Sequence, residues 1–589
     1  MTTNELSFMV GGAAGLGIKT GGLIFAWLCS RAGLHVFGNV EYPSVIRGDH
    51  NSYQVVVSEK RVFGHVRALD ILLALDDLSI ELHRDEIRPG GALIYDAAKS
   101  KAAVKELEGR GILLVSLPFQ SMIQEAGGGQ RLLNTVGIGA TMGLLRFDFD
   151  TIAATLKDAF ARHGEDALKQ NLDVARRAYG AAAEGFANRF DVSLEKREAP
   201  KRMLLTGNEA LAMGAIKAGV KFYAGYPMTP SSSILSYMAK HEREFGIVVK
   251  HAEDEISAAG MALGAAFAGA RSMTATSGGG FSLMCEFVGA AGMTETPLVV
   301  VESQRPGPST GLPTRTEQSD LKFVLSASQG EFPRIVIAPG DPEESFRLAF
   351  ESFNLAERYQ TPVIILMDKH LSESTWTYEP FDCQGMRIDR GQWLDEAALG
   401  SMDEYKRYVF TPSGISPMAR PGTPGGAFVA TGDEHDEHGH ICEDEPTRSR
   451  MMEKRLRKID ALDVSECGWR LYGDRGAALT VVGWGSTTSP IRGAVERLKS
   501  EGACVSFLQI IYLNPFPEKP VADVLGQAQA IVVVENNATA QLADVIRERT
   551  GVRIEDTLLK YSGRQWLVDE LADLIRERLQ AAPRKLHSA

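Results

Sequence analysis

Glu253, Asp254 and Glu255 stand where a short apolar run gives way to HAEDEISAAGMALGAAFAGA, a segment of alanines and glycines at helical spacing. Acids at a helix start cap it and complement its dipole. The same position allows a second role. A carboxylate held in an apolar setting at the carboxyl edge of a sheet has a raised pKa and can share a proton with a heterocycle nitrogen. GYPMTPSS, residues 225–232, offers a similar choice. Either Ser231 or Ser232 caps the next helix, or Thr229 turns its hydroxyl into a pocket beside Glu255. The loop QRPGPSTGLPTRTEQSDL carries Arg305 and Arg315 between three prolines and two glycines. Arginines on a surface are usually only solvated. At a sheet's carboxyl edge they can grip carboxylates bidentately.

Two further motifs carry less. GGAAGLG, residues 11–17, follows an apolar strand and supplies Gly15 and Gly17 just before Lys19. Such glycines let backbone N–H groups approach a phosphate. The spacing is not GxGxxG, however, and a turn that packs helix on sheet explains it equally well. EHDEHGH, residues 434–440, invites a metal reading. It matches no closed zinc spacing, so a solvated loop is expected.

The elements that must position these residues alternate between strand and helix. Strands are predicted at 6–10, 51–58, 71–74, 92–95 and 111–116, with a helix at 23–32, closing a first domain at 1–190. A charged linker spans 191–202. A second domain at 203–380 opens with a helix at 207–219, followed by strands at 221–224, 247–250, 272–275, 298–302 and 362–367. An excursion at 381–466 ends in a basic helix at 447–458. A last domain at 467–589 has strands at 478–484, 505–509 and 530–535. The alternation predicts an α/β protein of three parallel-sheet domains.

Composition narrows the function. The 589 residues hold 63 Lys and Arg against 75 Asp and Glu, a net charge of -12, which argues against a nucleic-acid binder. Six cysteines form no CxxC pair, so neither a disulfide framework nor an iron–sulfur cluster or structural zinc held by this chain alone is expected. No signal peptide and no membrane span are read, and a reducing cytoplasm is the expected location.

In order along the chain, YPMTPSS, Glu255 with ISAAGMALGAA, TATSGGGFSLM, the Arg305 loop and MDKHLSE resemble the α subunits of 2-oxoacid:ferredoxin oxidoreductases. Met228 stands where that signature more usually has Ile. GGAAGLG with YPSVIRGDHN is similar to the family's γ domain, fused ahead of α. VVGWGST and VVVENN resemble its transketolase C-terminal-like domain. The resemblance covers nearly the whole chain and implies the domain types: γ-type, pyrimidine-binding and transketolase C-terminal-like.

It also implies thiamine diphosphate split between two chains. This chain would take the aminopyrimidine, contacted by Tyr226, Pro227, Ser277, Gly278 and Glu255, the last sharing its proton with the ring. Arg305 and Thr229 would hold the 2-oxo acid. Gly15, Gly17, Lys19 and Arg47 would be the γ-domain contacts to coenzyme A or substrate. No GDG motif with the family's asparagines occurs here, which assigns the diphosphate, Mg²⁺ and [4Fe–4S] sites to a β subunit. The implied assembly is two α and two β chains, passing electrons to ferredoxin. TGLPTRTEQSDL is similar to the 2-oxoglutarate branch, with Arg315 on the distal carboxylate, unless that arginine only braces its own loop against Glu317 or Asp320. The alternatives are pyruvate or a branched-chain 2-oxo acid as substrate, a non-catalytic acyl-CoA- or nucleotide-binding subunit, or an NAD dehydrogenase.

Overall fold

The computed structural model describes residues 2–44, 49–161 and 163–581. The chain folds into two compact units. The first comprises Met1–Leu205 with Glu373–Phe381 and Leu567–Leu574, and the second comprises Thr206–Ser372, Asp382–Trp566 and Ile575–Ala589. Among the described residues no helix is long and apolar enough to cross a membrane.

The first unit is built on an eight-stranded sheet. Four strands, Leu113–Leu117, Ile87–Asp96, Leu69–Ala74 and Leu6–Ala13, run parallel, as the alternation predicts. Beyond them His50–Ser58, His35–Glu41 and Thr375–Tyr378 continue antiparallel, with Met203–Thr206 at the edge. The strand His35–Glu41 was not foreseen: Gly38 and Asn39 disfavour a strand locally, and it forms by pairing with His50–Ser58. Gly38 makes room for a ring: a Cβ there would lie 2.7 Å from the Tyr53 hydroxyl. The segment 191–202 is not a loose tether at its start. Val192–Ser193 pairs with Thr2–Thr3, and Leu194 is buried.

Among the described residues the second unit holds a seven-stranded and a five-stranded sheet, besides the short pairing of Trp393–Leu394 with Met418–Ala419. Six strands of the seven-stranded one run parallel, in the order Val248–His251, Phe222–Gly225, Ser272–Thr276, Leu298–Gln304, Pro362–Asp368 and Ile335–Ile337. Leu298–Gln304 and Pro362–Asp368 are buried along their whole length, as central parallel strands covered on both faces must be. The seventh strand, Tyr512–Asn514, is antiparallel and comes from the C-terminal segment. The five-stranded sheet of that segment, ordered Trp469–Tyr472, Val505–Ile510, Leu479–Trp484, Ile531–Glu535 and Thr557–Leu559, shares one apolar core with the first.

The excursion departs from the sequence reading. EHDEHGH is not a solvated loop. Glu434 accepts from Arg455 Nη1 at 2.8 Å and from Arg448, while His435 is fully buried with its ring centroid 4.1 Å from that of Tyr408. Burial opposes the Glu434 charge, but the two arginines outweigh it and hold the carboxyl at about 2. Among the described residues no group of His, Cys, Asp or Glu has metal-binding geometry. The basic helix, Glu445–Arg457, turns Lys454 inward rather than to solvent.

Candidate functional site

In a parallel α/β sheet, ligands bind beyond the carboxyl ends of the strands. Four such ends of the seven-stranded sheet carry the predicted residues. Phe222–Gly225 runs into Tyr226–Ser231, Val248–His251 into the acids, Ser272–Thr276 into Ser277–Gly280, and Leu298–Gln304 into the arginine loop.

The three acids have separate fates. Glu253 is exposed. Asp254 caps the helix Glu255–Phe267, accepting from Ser257 N at 2.7 Å and Ser257 Oγ at 2.6 Å. Those bonds hold its carboxyl below the ordinary range. Glu255 is only 4% exposed, and its buried Oε1 has no hydrogen-bond partner among the described residues. A buried carboxylate oxygen without a donor costs free energy on the scale of kcal/mol. The backbone beneath it is arranged to keep it there. At Gly280 a Cβ would sit 2.6 Å from Glu255 Cγ and 2.0 Å from Thr276 Oγ1, so only glycine leaves this space open.

Arg305 is half-buried and donates from Nη1 to the Thr229 carbonyl at 2.8 Å, while its buried Nε lacks an acceptor among the described residues. Burial lowers its pKa, and the charges of Glu255 and Glu302 oppose that. Thr229 therefore meets the arginine through its backbone, and its side chain is half-buried. Ser277 is buried, with an unpartnered Oγ. Gly278 lies against Asp320, whose Oδ2 would be 2.4 Å from a Cβ there. Tyr226 and Pro227 are exposed at the rim.

The arginine loop is tied down by Gln318. It donates from its backbone N to the Asn536 carbonyl at 2.7 Å and from Nε2 to the Trp484 carbonyl at 2.9 Å, and its Oε1 accepts from Asn536 N at 3.0 Å. VVGWGST and VVVENN thus anchor the loop to the second sheet. Arg315 lies at that end: its Cβ is 3.0 Å from the position a Cβ on Gly563 would take.

Sequence reasoning passed over three residues here. Glu302 is fully buried on its strand, with neither oxygen bonded to a donor among the described residues. Asp320 was considered only as a brace for Arg315. Burial pushes it up to about 6. Gly280 was quoted within SGGG without a role. A glutamate directly after the apolar run Leu298–Val301 was the available signal.

In the first unit Gly15 and Gly17 have left-handed backbones, with φ of 96° and 74°. Gly17 precedes the helix Ile18–Arg31 and meets the Asn134 side chain, 2.6 Å from where a Cβ would project. Lys19 is exposed. Arg47 lies outside the described residues.

Three family models match. Pyruvate flavodoxin/ferredoxin oxidoreductase, thiamine diphosphate-binding, covers residues 213–454; pyruvate ferredoxin/flavodoxin oxidoreductase covers 7–181; and pyruvate:ferredoxin oxidoreductase core domain II covers 477–570. The α subunit of 2-oxoacid:ferredoxin oxidoreductase from a Sulfolobus species is 35% identical, over 97% of this chain and 96% of its own. This chain belongs to the 2-oxoacid:ferredoxin oxidoreductase α-subunit family. It is an oxidoreductase subunit whose family name implies a partner. The 2-oxoglutarate oxidoreductase subunit KorA of Mycobacterium tuberculosis is 30% identical over 92% of this chain and 88% of its own. The solved 2-oxoglutarate:ferredoxin oxidoreductase from Magnetococcus marinus, with 2-oxoglutarate, coenzyme A and succinyl-CoA bound, superposes with a TM-score of 0.91 at 32% identity, covering 98% of this chain and 100% of that one. The family's thiamine diphosphate-binding segment contains Glu255, Gly280, Arg305 and Asp320.

Proposed function

We propose that this subunit and a β subunit together oxidatively decarboxylate 2-oxoglutarate with coenzyme A, giving succinyl-CoA, CO₂ and reduced ferredoxin. One observation carries the reading: the unpartnered Oε1 of Glu255 in the space that Gly280 leaves open. That oxygen needs a donor, and a protonated nitrogen of an aminopyrimidine is such a donor. When bound, thiamine diphosphate supplies a carbon nucleophile that adds to the keto carbon and retains the electron pair left by CO₂. Glu255 holds and returns the proton at Oε1. Ser277 and Gly278 line the floor, and Tyr226 and Pro227 the rim.

Arg305, beside Glu255, takes the carboxylate next to the keto group, with Thr229 at its side. Arg315 takes the distal carboxylate. The dicarboxylate choice rests on that second arginine, together with the 2-oxoglutarate named for the Mycobacterium and Magnetococcus relatives. Gly15, Gly17, Lys19 and Arg47 contribute to coenzyme A or substrate contact.

The β subunit brings the diphosphate, Mg²⁺ and [4Fe–4S] sites, in an assembly of two chains of each kind located in the cytoplasm. Ile256, Met261 and Leu283 leave an apolar strip exposed on the two adjoining helices Glu255–Phe267 and Gly278–Met293. This strip borders the incomplete site, which is where the β subunit docks. Co-purification tests the reading. The chain alone should be colourless, and with its partner it should be brown and hold thiamine diphosphate. The specificity constant should be highest for 2-oxoglutarate in a panel with pyruvate and 2-oxobutyrate. Iron on the isolated chain would overturn the division of labour, and a preference for pyruvate would overturn the substrate.

A further inference from the structure

Net oxidation of a 2-oxo acid by this route converts R–CO–COO⁻ and a thiol into a thioester, CO₂, two electrons and one proton. The electrons leave to ferredoxin. The proton must leave a pocket whose walls are strand ends and helices. The structure holds a set of carboxyls that Glu255 and the arginines do not account for.

Glu302 lies on the central strand Leu298–Gln304, its Cα registered with Thr276. It is fully buried, and among the described residues neither of its oxygens has a donor. Asp320 faces it from the end of the arginine loop. The backbone N of Asp320 donates to Gln304 Oε1 at 3.0 Å, which fixes the residue over the strand, and its Oδ2 presses on Gly278. With both carboxyls ionised there is no donor between them. A proton on either one makes the hydrogen bond that links Glu302 to Asp320. The other charged neighbours do not replace it. Arg305 is turned to the Thr229 carbonyl. Asp368 is already engaged, accepting from Thr316 Oγ1 and Leu371 N, each at 3.1 Å, and from Ser486. Glu317, three residues before Asp320 on the same loop and half-buried, senses the Asp320 charge.

We propose that Glu302 and Asp320 hold a single proton between them, and that this site, opening outward through Glu317, takes up the proton released by the reaction and passes it to solvent. The carboxyls form a graded path. Burial and the neighbouring acids raise Glu302 well above the ordinary carboxyl range, Asp320 stands at about 6, and Glu317 is raised to about 7. A group near neutrality at the outer end both accepts and releases a proton at working pH. The outward passage rests on the proposed reaction, whereas the shared proton does not.

Infrared difference spectroscopy on the full chain, without substrate or cofactor, tests the shared proton. Subtracting Glu302→Gln from wild type should reveal one protonated-carboxyl stretch. Subtracting Asp320→Asn should reveal the same band, and Glu317→Gln should leave it in place. Thermal melting checks that each variant is folded, and Asp320→Asn, at the looser end of the pair, serves if Glu302→Gln fails to fold. A band that persists in Asp320→Asn overturns the proposal. In the complete complex, Glu302→Gln should lower kcat about tenfold with KM for the 2-oxo acid unchanged, less than the roughly 10²- to 10⁴-fold of a group touching the reacting atoms. Glu317→Gln should be slowed and then rescued by a small diffusible acid such as formate. An unchanged pH profile of kcat in both variants overturns the passage. A wild-type complex inactive on every 2-oxo acid would instead defeat the functional reading, and the infrared bands would still decide whether the proton is shared.

Discussion

Glu295 and Glu302 stand just before and within the same strand, Leu298–Gln304, and both are fully buried. Their surroundings are opposite. Lys454 Nζ reaches both Glu295 oxygens at 2.7 Å, Lys458 Nζ lies 2.6 Å from Oε2, and Arg407 Nη2 donates to the Glu295 carbonyl at 2.7 Å. Burial opposes the charge of Glu295, but the three cations outweigh it and hold its carboxyl below the usual range. Seven residues on, Glu302 has no donor, and neither does Oε1 of Glu255 nearby. One region pairs its glutamate with its own lysines and fixes the excursion to the sheet. The other leaves the oxygens of its carboxyls without donors among the described residues. The contrast sets a glutamate that holds architecture together against the two proposed to serve the chemistry.

The largest contrast should come from the same substitution at the two places. Glu255→Gln should leave the assembled enzyme folded and lower kcat by at least about 10²-fold, because an amide cannot hold and return the proton. Glu295→Gln should do the reverse. Breaking a buried pair typically costs about 3–5 kcal/mol, so Tm should fall steeply while kcat per folded molecule stays near wild type. Chemical melting curves and single-turnover rates on both variants check this. Loss of activity without loss of stability at Glu295 would break the contrast.

Next in size is Gly280→Ala. The new Cβ must displace Thr276 Oγ1 and Glu255, and a misplacement of about 1 Å can cost as much as 10²-fold in rate. We expect kcat to fall at least about tenfold. Gly264→Ala, where a Cβ meets nothing within 4 Å, is the control on the neighbouring helix and should leave the isolated chain at least as stable as wild type.

Much of this site could be read from residue types. Three acids after an apolar run announced a helix start, and the structure divides them into an exposed residue, a cap and a buried carboxylate. Thr229, Arg305 and Ser277 gather at neighbouring strand ends because a parallel sheet puts consecutive βα loops on one edge. What stayed hidden was tertiary. The apolar run ahead of Glu302 hints at burial, but its full burial depends on the strands on either side. Lys454 sits in a helix that reads as basic and solvated, yet that helix lies against Glu295, 159 residues away. The strand Thr375–Tyr378 was missed for the same reason, its partner being His35–Glu41.

Arg315→Ala should give a smaller and more selective effect. A charge-assisted hydrogen bond contributes about 1.5–3 kcal/mol, which only a dicarboxylate can gain twice. The ratio of specificity constants for 2-oxoglutarate over 2-oxobutyrate should fall roughly ten- to a hundred-fold. Arg305→Ala should depress both substrates together. An unchanged ratio in Arg315→Ala would take that residue out of the pocket and assign it to the loop's packing against Gly563.

The smallest effect is one of pH on stability, and here the two glutamates should pull in opposite directions. A carboxyl whose folded pKa lies below its unfolded value, about 4, adds stability that is present above pH 4 and lost as pH falls further. Glu295 is of this kind. A carboxyl raised in the folded state adds stability that is complete below about pH 4 and lost as pH rises through its folded pKa. Asp320 at about 6, Glu317 at about 7 and Glu302 above the ordinary range are of this second kind. Lys458, lowered to about 7 by burial, is protonated in both states below that value and adds no slope there. Between about pH 4 and pH 7 the site carboxyls should therefore make the chain less stable as pH rises. Glu302→Gln removes an ionisation from this set, so its melting temperature should fall less over that interval than that of wild type. Glu434→Gln, in the satisfied region, should leave the interval unchanged and instead lower stability uniformly above about pH 4, where its two arginines lose their carboxylate. Parallel Tm-against-pH curves for wild type and both variants decide it: if Glu302→Gln tracks wild type throughout, Glu302 is not part of a protonated pair and the contrast with Glu295 fails.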